Sequence, residues 1–169
     1  DEMKESGCQG LFIGFESIHP ESISNVHKVQ NDVNDYEYAI AEIHKRGIMI
    51  NASFVFGLDS DTKETFAATV DWIVRNKIET VTSHILTPYP GTVIYDRLKE
   101  QGRILTSDLG LYDTAHVVIQ PKNMTPEELY EGYLSVYRNV YSFRNIMRRM
   151  PKSVEQIPAY LAFNFFYRK

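Results

Sequence analysis

Cysteine is almost missing: Cys8 is the only thiol in a chain of 169 residues. One thiol forms no internal disulfide, the pattern of a protein kept in a reducing cytoplasm. Nor does it supply an iron–sulfur cluster or a cysteine-rich zinc site from this chain alone. Long apolar runs are missing too. The longest, counting glycine, is Gly10 to Phe15, far short of the roughly 18 residues of a membrane span. Positive charge is in deficit, with 18 Lys and Arg against 22 Asp and Glu and a net charge of −4. That argues against a general nucleic-acid or anionic-membrane binder. No P-loop, dinucleotide glycine fingerprint or Ser-His-Asp order occurs, so neither a nucleotide triphosphatase nor a nucleophilic hydrolase is supported.

What is present is an ordinary globular composition, 43% hydrophobic and 24% charged, enough for one domain with a sizeable core. Residues 1–7 read as the last turns of a helix already under way, capped by Gly7. The sequence is therefore expected to be a piece of a longer protein.

The stretch Gly10-Leu11-Phe12-Ile13-Gly14-Phe15-Glu16-Ser17 is a short apolar run bounded by glycine that ends in a carboxylate and a hydroxyl. It reads as a strand buried on both faces of a parallel sheet. Two further runs, 48–56 and 80–86, repeat the pattern at intervals of about 30 to 40 residues, the size of a βα unit. Helices follow each. One is capped by Asn34 with Glu37 and has Tyr36, Ala39, Ile40 and Ile43 on one face. The next is capped by Asp61 and Glu64, with Phe66, Val70, Ile73 and Val74 inward. The third runs over 92–101 and is closed by Gly102. Strand, polar loop and helix three times over is α/β with a parallel sheet.

The pattern changes after Gly102. A connector leads to a short strand at 116–120. Thr125-Pro126-Glu127-Glu128 is then a strong helix start, with Leu129, Tyr133, Val136, Val140, Phe143 and Met147 spaced as one long helix. Its aromatic stripe reads as a packing face. The basic residues Arg144, Arg148, Arg149, Lys152, Arg168 and Lys169 read as helix-end charge complementing the macrodipole. The last helix, 153–169, is an apolar tail that wants a partner surface.

Polar groups close each strand: Glu16 and Ser17, then Asp59 and Asp61, then Thr87-Pro88-Tyr89. In parallel α/β folds such ends converge on one face. A carboxylate there takes two hydrogen bonds from a ribose diol or an amino group. Gly57 lets backbone approach a flat ring, and Pro88 and Pro90 stiffen a turn. Each has a plainer reading beside it. Asp61 suits an ordinary helix cap and Cys8 a small buried hydrophobe. His84 suits a core histidine or a catalytic one, His44 a helix-end cation, and His116 either.

Taken in order, Gly14-Phe15-Glu16-Ser17, the segment from Ser53 through Phe56-Gly57-Leu58-Asp59 to Thr62, and Leu86-Thr87-Pro88-Tyr89-Pro90-Gly91-Thr92 resemble the second half of a radical S-adenosylmethionine (SAM) enzyme. Gly102-Arg103-Ile104-Leu105, Tyr112-Asp113 and Met124 to Leu129 extend the likeness, which is closest to the cobalamin-binding subgroup.

The resemblance implies a partial, TIM-like (β/α) barrel of six strands, with this chain supplying strands four to six over 1–102 and an accessory, mostly helical region over 103–169. It implies that Glu16 and Ser17 contact the ribose or methionine end of SAM, and that Phe54, Val55, Phe56 and Gly57 face the adenine. Thr87, Pro88 and Tyr89 would stand beside the adenine or substrate, with Asp59 and His84 on the substrate side. It also implies SAM and a [4Fe–4S] cluster as cofactors, with cobalamin resting on the resemblance alone. The intact enzyme would cleave SAM reductively to a 5′-deoxyadenosyl radical that attacks a small-molecule substrate.

The family's CxxxCxxC loop is absent from these residues, so no metal ligand is assigned here and the chain alone is expected to be inactive. Its partners would be the missing N-terminal half of its own protein or, failing that, a second copy at the edge of the first strand. The competing reading is a complete small α/β domain that binds a nucleotide or phosphate without catalysis.

Overall fold

The computed structural model describes residues 1–20 and 35–168. Three parallel strands, β1 (Gly10–Glu16), β2 (Met49–Phe56) and β3 (Thr80–Ile85), lie in the order β1-β2-β3. A short helix α1 (Glu2–Glu5) precedes them. Helix α2 (Tyr36–Lys45) links β1 to β2, α3 (Lys63–Arg75) links β2 to β3, and α4 (Val93–Glu100) follows β3. The α/β reading with three parallel strands holds. The expected Asn34 cap lies outside the described residues.

Register puts Phe12, Asn51 and Thr80 in one row across the sheet, and Gly14, Ser53 and Thr82 in the next. Side chains alternate across a strand, so the sheet has one covered and one open face. Ile50, Ala52, Phe54 and Phe56 are buried on the covered face, where Trp72 of α3 packs 6.0 Å from Phe54 and Phe66 5.1 Å from Phe56. The inward residues expected of α3 (Phe66, Val70, Ile73 and Val74) are all buried. On the open face Phe12 is 66% exposed. The expectation of a strand buried on both faces is therefore corrected for β1: within this chain helices cover one side only.

After α4 the chain makes an antiparallel bridge between Ile104 and Ile119, where a regular strand was expected. Helix α5 (Pro126–Val140) then begins with the full capping box of Thr125 and Glu128 and with proline in its first turn. It packs on α3 and alongside β3, burying Leu129, Val136 and Val140 in the core it shares with the sheet. The long helix expected here breaks at Tyr141. Ser142 caps a separate helix α6 (Phe143–Arg149) by accepting the Asn145 N–H, which leaves Phe143 and Met147 exposed instead of in the buried stripe. Helix α7 (Ile157–Tyr167) closes the chain.

Two fastenings hold this region to the sheet. The Tyr141 hydroxyl donates to Val81 O at 2.7 Å and accepts from Val81 N at 2.9 Å, and the Tyr137 hydroxyl does the same at Ser83, at 3.1 and 2.9 Å. Arg149 is fully buried, not a surface helix-end charge. Its guanidinium donates to the carbonyls of Ile78, Glu79 and Val140 and to Asn164 Oδ1, fastening the last residue of α5, the start of β3 and α7 together.

Candidate functional site

The open face of the sheet is small and polar at its centre and carries its titratable groups toward the carboxyl ends of the strands. Asn51 and Thr82 touch, with the Thr82 hydroxyl 3.3 Å from Asn51 Oδ1. Ser53 stands beside Gly14, and Val55 beside His84. The imidazole Nδ1 of His84 is 3.0 Å from the Thr114 hydroxyl, and Thr114 O accepts the Ile85 N–H at 2.7 Å. One loop residue thus closes the end of β3 and orients the histidine. Thr114 sits in the left-handed region at φ +67°, unusual for a β-branched residue and a mark of a conformation imposed by its surroundings.

Glu16 ends β1 at φ +65°, where a bulge shifts the register between Gly14 and Glu16. Bulges re-aim side chains at sheet ends, and left-handed non-glycine residues cluster at functional sites. Ser17 next to it is buried and occupied: its hydroxyl accepts the His19 N–H at 3.1 Å.

Several expected site residues prove to be turned elsewhere. Phe54 and Phe56 bury their rings on the helix side of β2, so at these two positions it is the main chain, not the ring, that borders the open face. Of Phe54, Val55 and Phe56, only Val55 turns its side chain to the open face. Gly57 is at φ +97°, and a Cβ there would stand 3.0 Å from Leu129 Cδ2. What approaches this glycine is helix α5.

Asp61 is not the cap of α3, which is Thr62. Its Oδ2 accepts the N–H groups of Gly57 and Leu58 at 2.9 and 3.0 Å and so shapes the turn after β2. Asp59 pairs with Arg103 at 2.8 Å and its carbonyl accepts from Asn123, which joins that turn to the C-terminal region. Thr87 donates to Ile85 O, Pro88 is buried, and Tyr89 is half exposed with its ring 6.4 Å from that of Tyr112.

Thr114, Asn51, Ser53 and Thr82 were not singled out from the sequence. The polar alternation Asn51, Ser53 within an apolar run was the available signal for two of them. Beside this face the His116 imidazole lies 2.9 Å from the Asp113 carboxylate. The N–H groups of Ala115 and His116, together with that imidazole, hold the Asp113 carboxyl down at about 2. A cavity of about 280 Å³, lined by Phe12, Met49, Thr80, Phe163 and Tyr167, lies at the opposite, amino ends of the strands.

Among the described residues no cluster of three or more His, Cys, Asp or Glu could hold a metal. Cys8 precedes β1 at the amino end of the sheet, its thiol 3.5 Å from Gly10 O. These residues do not fit an iron–sulfur cluster.

Residues 92–163 match a family model described as a domain of unknown function, DUF4070. Over 145 residues, 86% of this chain and 31% of the relative, the sequence is 38% identical to the bacteriochlorophyllide d C-12(1)-methyltransferase of Chlorobaculum tepidum. It is 29% identical to the hopanoid C-2 methylase of Rhodopseudomonas palustris over 63% of this chain and 20% of that one. It is 26% identical to the anaerobic magnesium-protoporphyrin IX monomethyl ester cyclase of Cereibacter sphaeroides over 82% and 22%. These matches support the cobalamin-binding radical SAM family that the ordered motifs resemble. The chain spans about a third of the length of the first of these relatives. The residues matched by the family model include α5 and α6, whose side chains fasten to β3.

Proposed function

We propose that the open face of this sheet is part of the SAM and substrate wall of a radical SAM enzyme that alkylates or cyclises a small organic molecule. In this reading β1, β2 and β3 are strands four to six of a partial (β/α) barrel, and a longer polypeptide supplies the rest. The observation that carries it is Glu16, a carboxylate held in the left-handed region by a bulge at the carboxyl end of a parallel strand, where α/β folds bind ligands.

SAM, with an electron from a cluster held elsewhere, supplies the radical chemistry. The residues here bind and orient. Glu16 is placed to accept hydrogen bonds from a ribose diol or an amino group. Asn51, Ser53 and Thr82 offer a small polar surface, Val55 an apolar one, and His84 a group steadied by Thr114. A face this open also needs covering, because a radical requires a site closed to water. The neighbouring segments of the longer polypeptide would provide that cover.

The test uses that longer polypeptide, reconstituted anaerobically with iron and sulfide. Release of 5′-deoxyadenosine from SAM is expected, and Glu16→Gln should weaken SAM binding about ten- to hundred-fold, the loss of charge-assisted hydrogen bonds worth about 1.5–3 kcal/mol. The 169-residue chain by itself should release none. Unchanged SAM binding in Glu16→Gln, or turnover by the short chain, refutes the reading. Since β1 has no strand beyond it among the described residues, the short chain should also self-associate through Gly10 to Ile13. A monomer at every concentration on a sizing column would count against that.

A further inference from the structure

Helix α7 is built inside out. Its two buried residues, Tyr160 and Asn164, spend polar groups inward: the tyrosine hydroxyl donates to Ile146 O, and the asparagine bridges Arg149 and Glu79 O. Its outward side carries no charge and no hydrogen-bonding side chain from Pro158 through Phe166. Phe165 and Phe166 are 44% and 72% exposed on it, while Phe163 turns to the cavity at the amino ends of the strands. Helix α6 adjoins this end of α7: the Arg168 guanidinium lies over the Phe143 ring at 5.9 Å and Tyr167 stacks on Tyr141. Phe143 and Met147 share one helical edge there, with Arg144 and Arg148 along the next.

Charge identifies the occupant. The chain as a whole is acidic, yet residues 140–169 hold six Lys and Arg and a single acidic residue, Glu155. Among the described residues Arg144, Arg148, Lys152 and Arg168 form no ion pair. An aromatic face edged by unpaired cations is the composition of a helix that lies on an anionic lipid surface. Two alternatives fit less well. A two-fold contact between copies would set this cationic rim against itself. A protein partner would find no donor or acceptor along the apolar strip, whereas protein interfaces carry about one hydrogen bond per 100–200 Å². No described helix is long and apolar enough to cross a membrane, so the contact is with the surface.

We propose that the outward faces of α6 and α7 form a docking surface for an anionic phospholipid bilayer, with Phe165 and Phe166 entering the headgroup layer. The experiment is flotation of the longer polypeptide that carries this chain with phosphatidylcholine vesicles, with and without phosphatidylglycerol. Binding is expected to the anionic vesicles and to fall in high salt. Arg144→Glu with Arg148→Glu should weaken it at least about twenty-fold, since each cation near such a surface is worth about five-fold. Phe165→Ser with Phe166→Ser should weaken it about ten-fold or more through lost apolar burial. Tyr38→Ser, at an exposed position on α2, serves as the control and should change nothing. Circular dichroism would check that the variants keep their helices. The proposal is overturned if neither vesicle carries the chain, or if both pairs of substitutions leave binding unchanged. It is also overturned if the phenylalanine pair instead abolishes self-association of the longer polypeptide, which would assign the face to a second copy.

Discussion

Removing one oxygen atom at Tyr141 should cost this protein a large part of its stability. Tyr141→Phe keeps the ring, its stack on Tyr167 and its place in the core, and deletes only the hydroxyl that bonds both the N–H and the C=O of Val81. Tyr141 is 2% and Val81 1% exposed, so water does not reach the groups left behind. A stranded buried donor or acceptor costs about 1–3 kcal/mol, and two stranded groups give about 2–4 kcal/mol against a typical domain stability of about 5–15 kcal/mol. With a urea slope of about 2–3 kcal/mol/M, the midpoint should fall by about 1 M at unchanged slope. The Val81 amide should also exchange with solvent faster relative to its neighbours. Tyr137→Phe, at a less buried position, should cost roughly half as much. Tyr130→Phe, on the exposed side of α5, should cost almost nothing. A midpoint for Tyr141→Phe within about 0.2 M of the parent, the range expected of such surface changes, would refute the view that these hydroxyls replace a strand.

Three further outcomes follow from the packing and the charges. Gly132→Ala should destabilise by about 1–3 kcal/mol: a Cβ there would run into the Phe66 ring, and such overpacking outweighs the gain of about 1 kcal/mol in helix propensity. Thermal melting checks the sign. Ser83→Ala should be neutral or stabilising by up to about 1 kcal/mol, because the Ser83 hydroxyl is buried with no hydrogen-bond partner; a loss above about 1 kcal/mol would contradict it. Burial pushes the Tyr133 and Tyr160 phenols up to about 12, above an ordinary value near 10. The folded state therefore favours the protonated form. Its contribution is complete below about pH 10 and is lost as pH rises toward about 12, which tyrosinate absorbance followed with melting temperature would reveal.

Much of the framework could be read from residues alone, because glycine, proline and capping residues punctuate it locally. Gly10, Gly47 and Gly102 marked boundaries, and the Thr125 box opened α5 as expected. What could not be read was direction. Period-two alternation in β2 separates Asn51, Ser53 and Val55 from Ile50, Phe54 and Phe56, but only the docked helix decides which set turns inward. The burial of Arg149 was equally hidden, since its partners include main-chain carbonyls at Ile78, Glu79 and Val140, distant in sequence and free of side-chain signature. Ser142 did carry a visible cap signal, and the apolar spacing running through it obscured the helix break.

The tyrosine stripe of α5 shows why the sheet stops where it does. Side chains four apart on a helix are separated by about 6.0 Å along its axis, and alternate residues of a strand by about 6.6 Å. A helix beside a strand edge can therefore place a hydroxyl on every second peptide for a short distance before the two periods drift apart. Tyr141 meets Val81 and Tyr137 meets Ser83, the helix running opposite to the strand. By the next step the mismatch has doubled, and the partner changes: Ile85 N–H donates to Thr114 O, while Tyr133 packs edge-on against Tyr137. Three alternate N–H groups along the outer edge of β3 are thus satisfied without a fourth strand. An edge saturated in this way has no bonds to offer a neighbour, and extension of the sheet is confined to the side of β1.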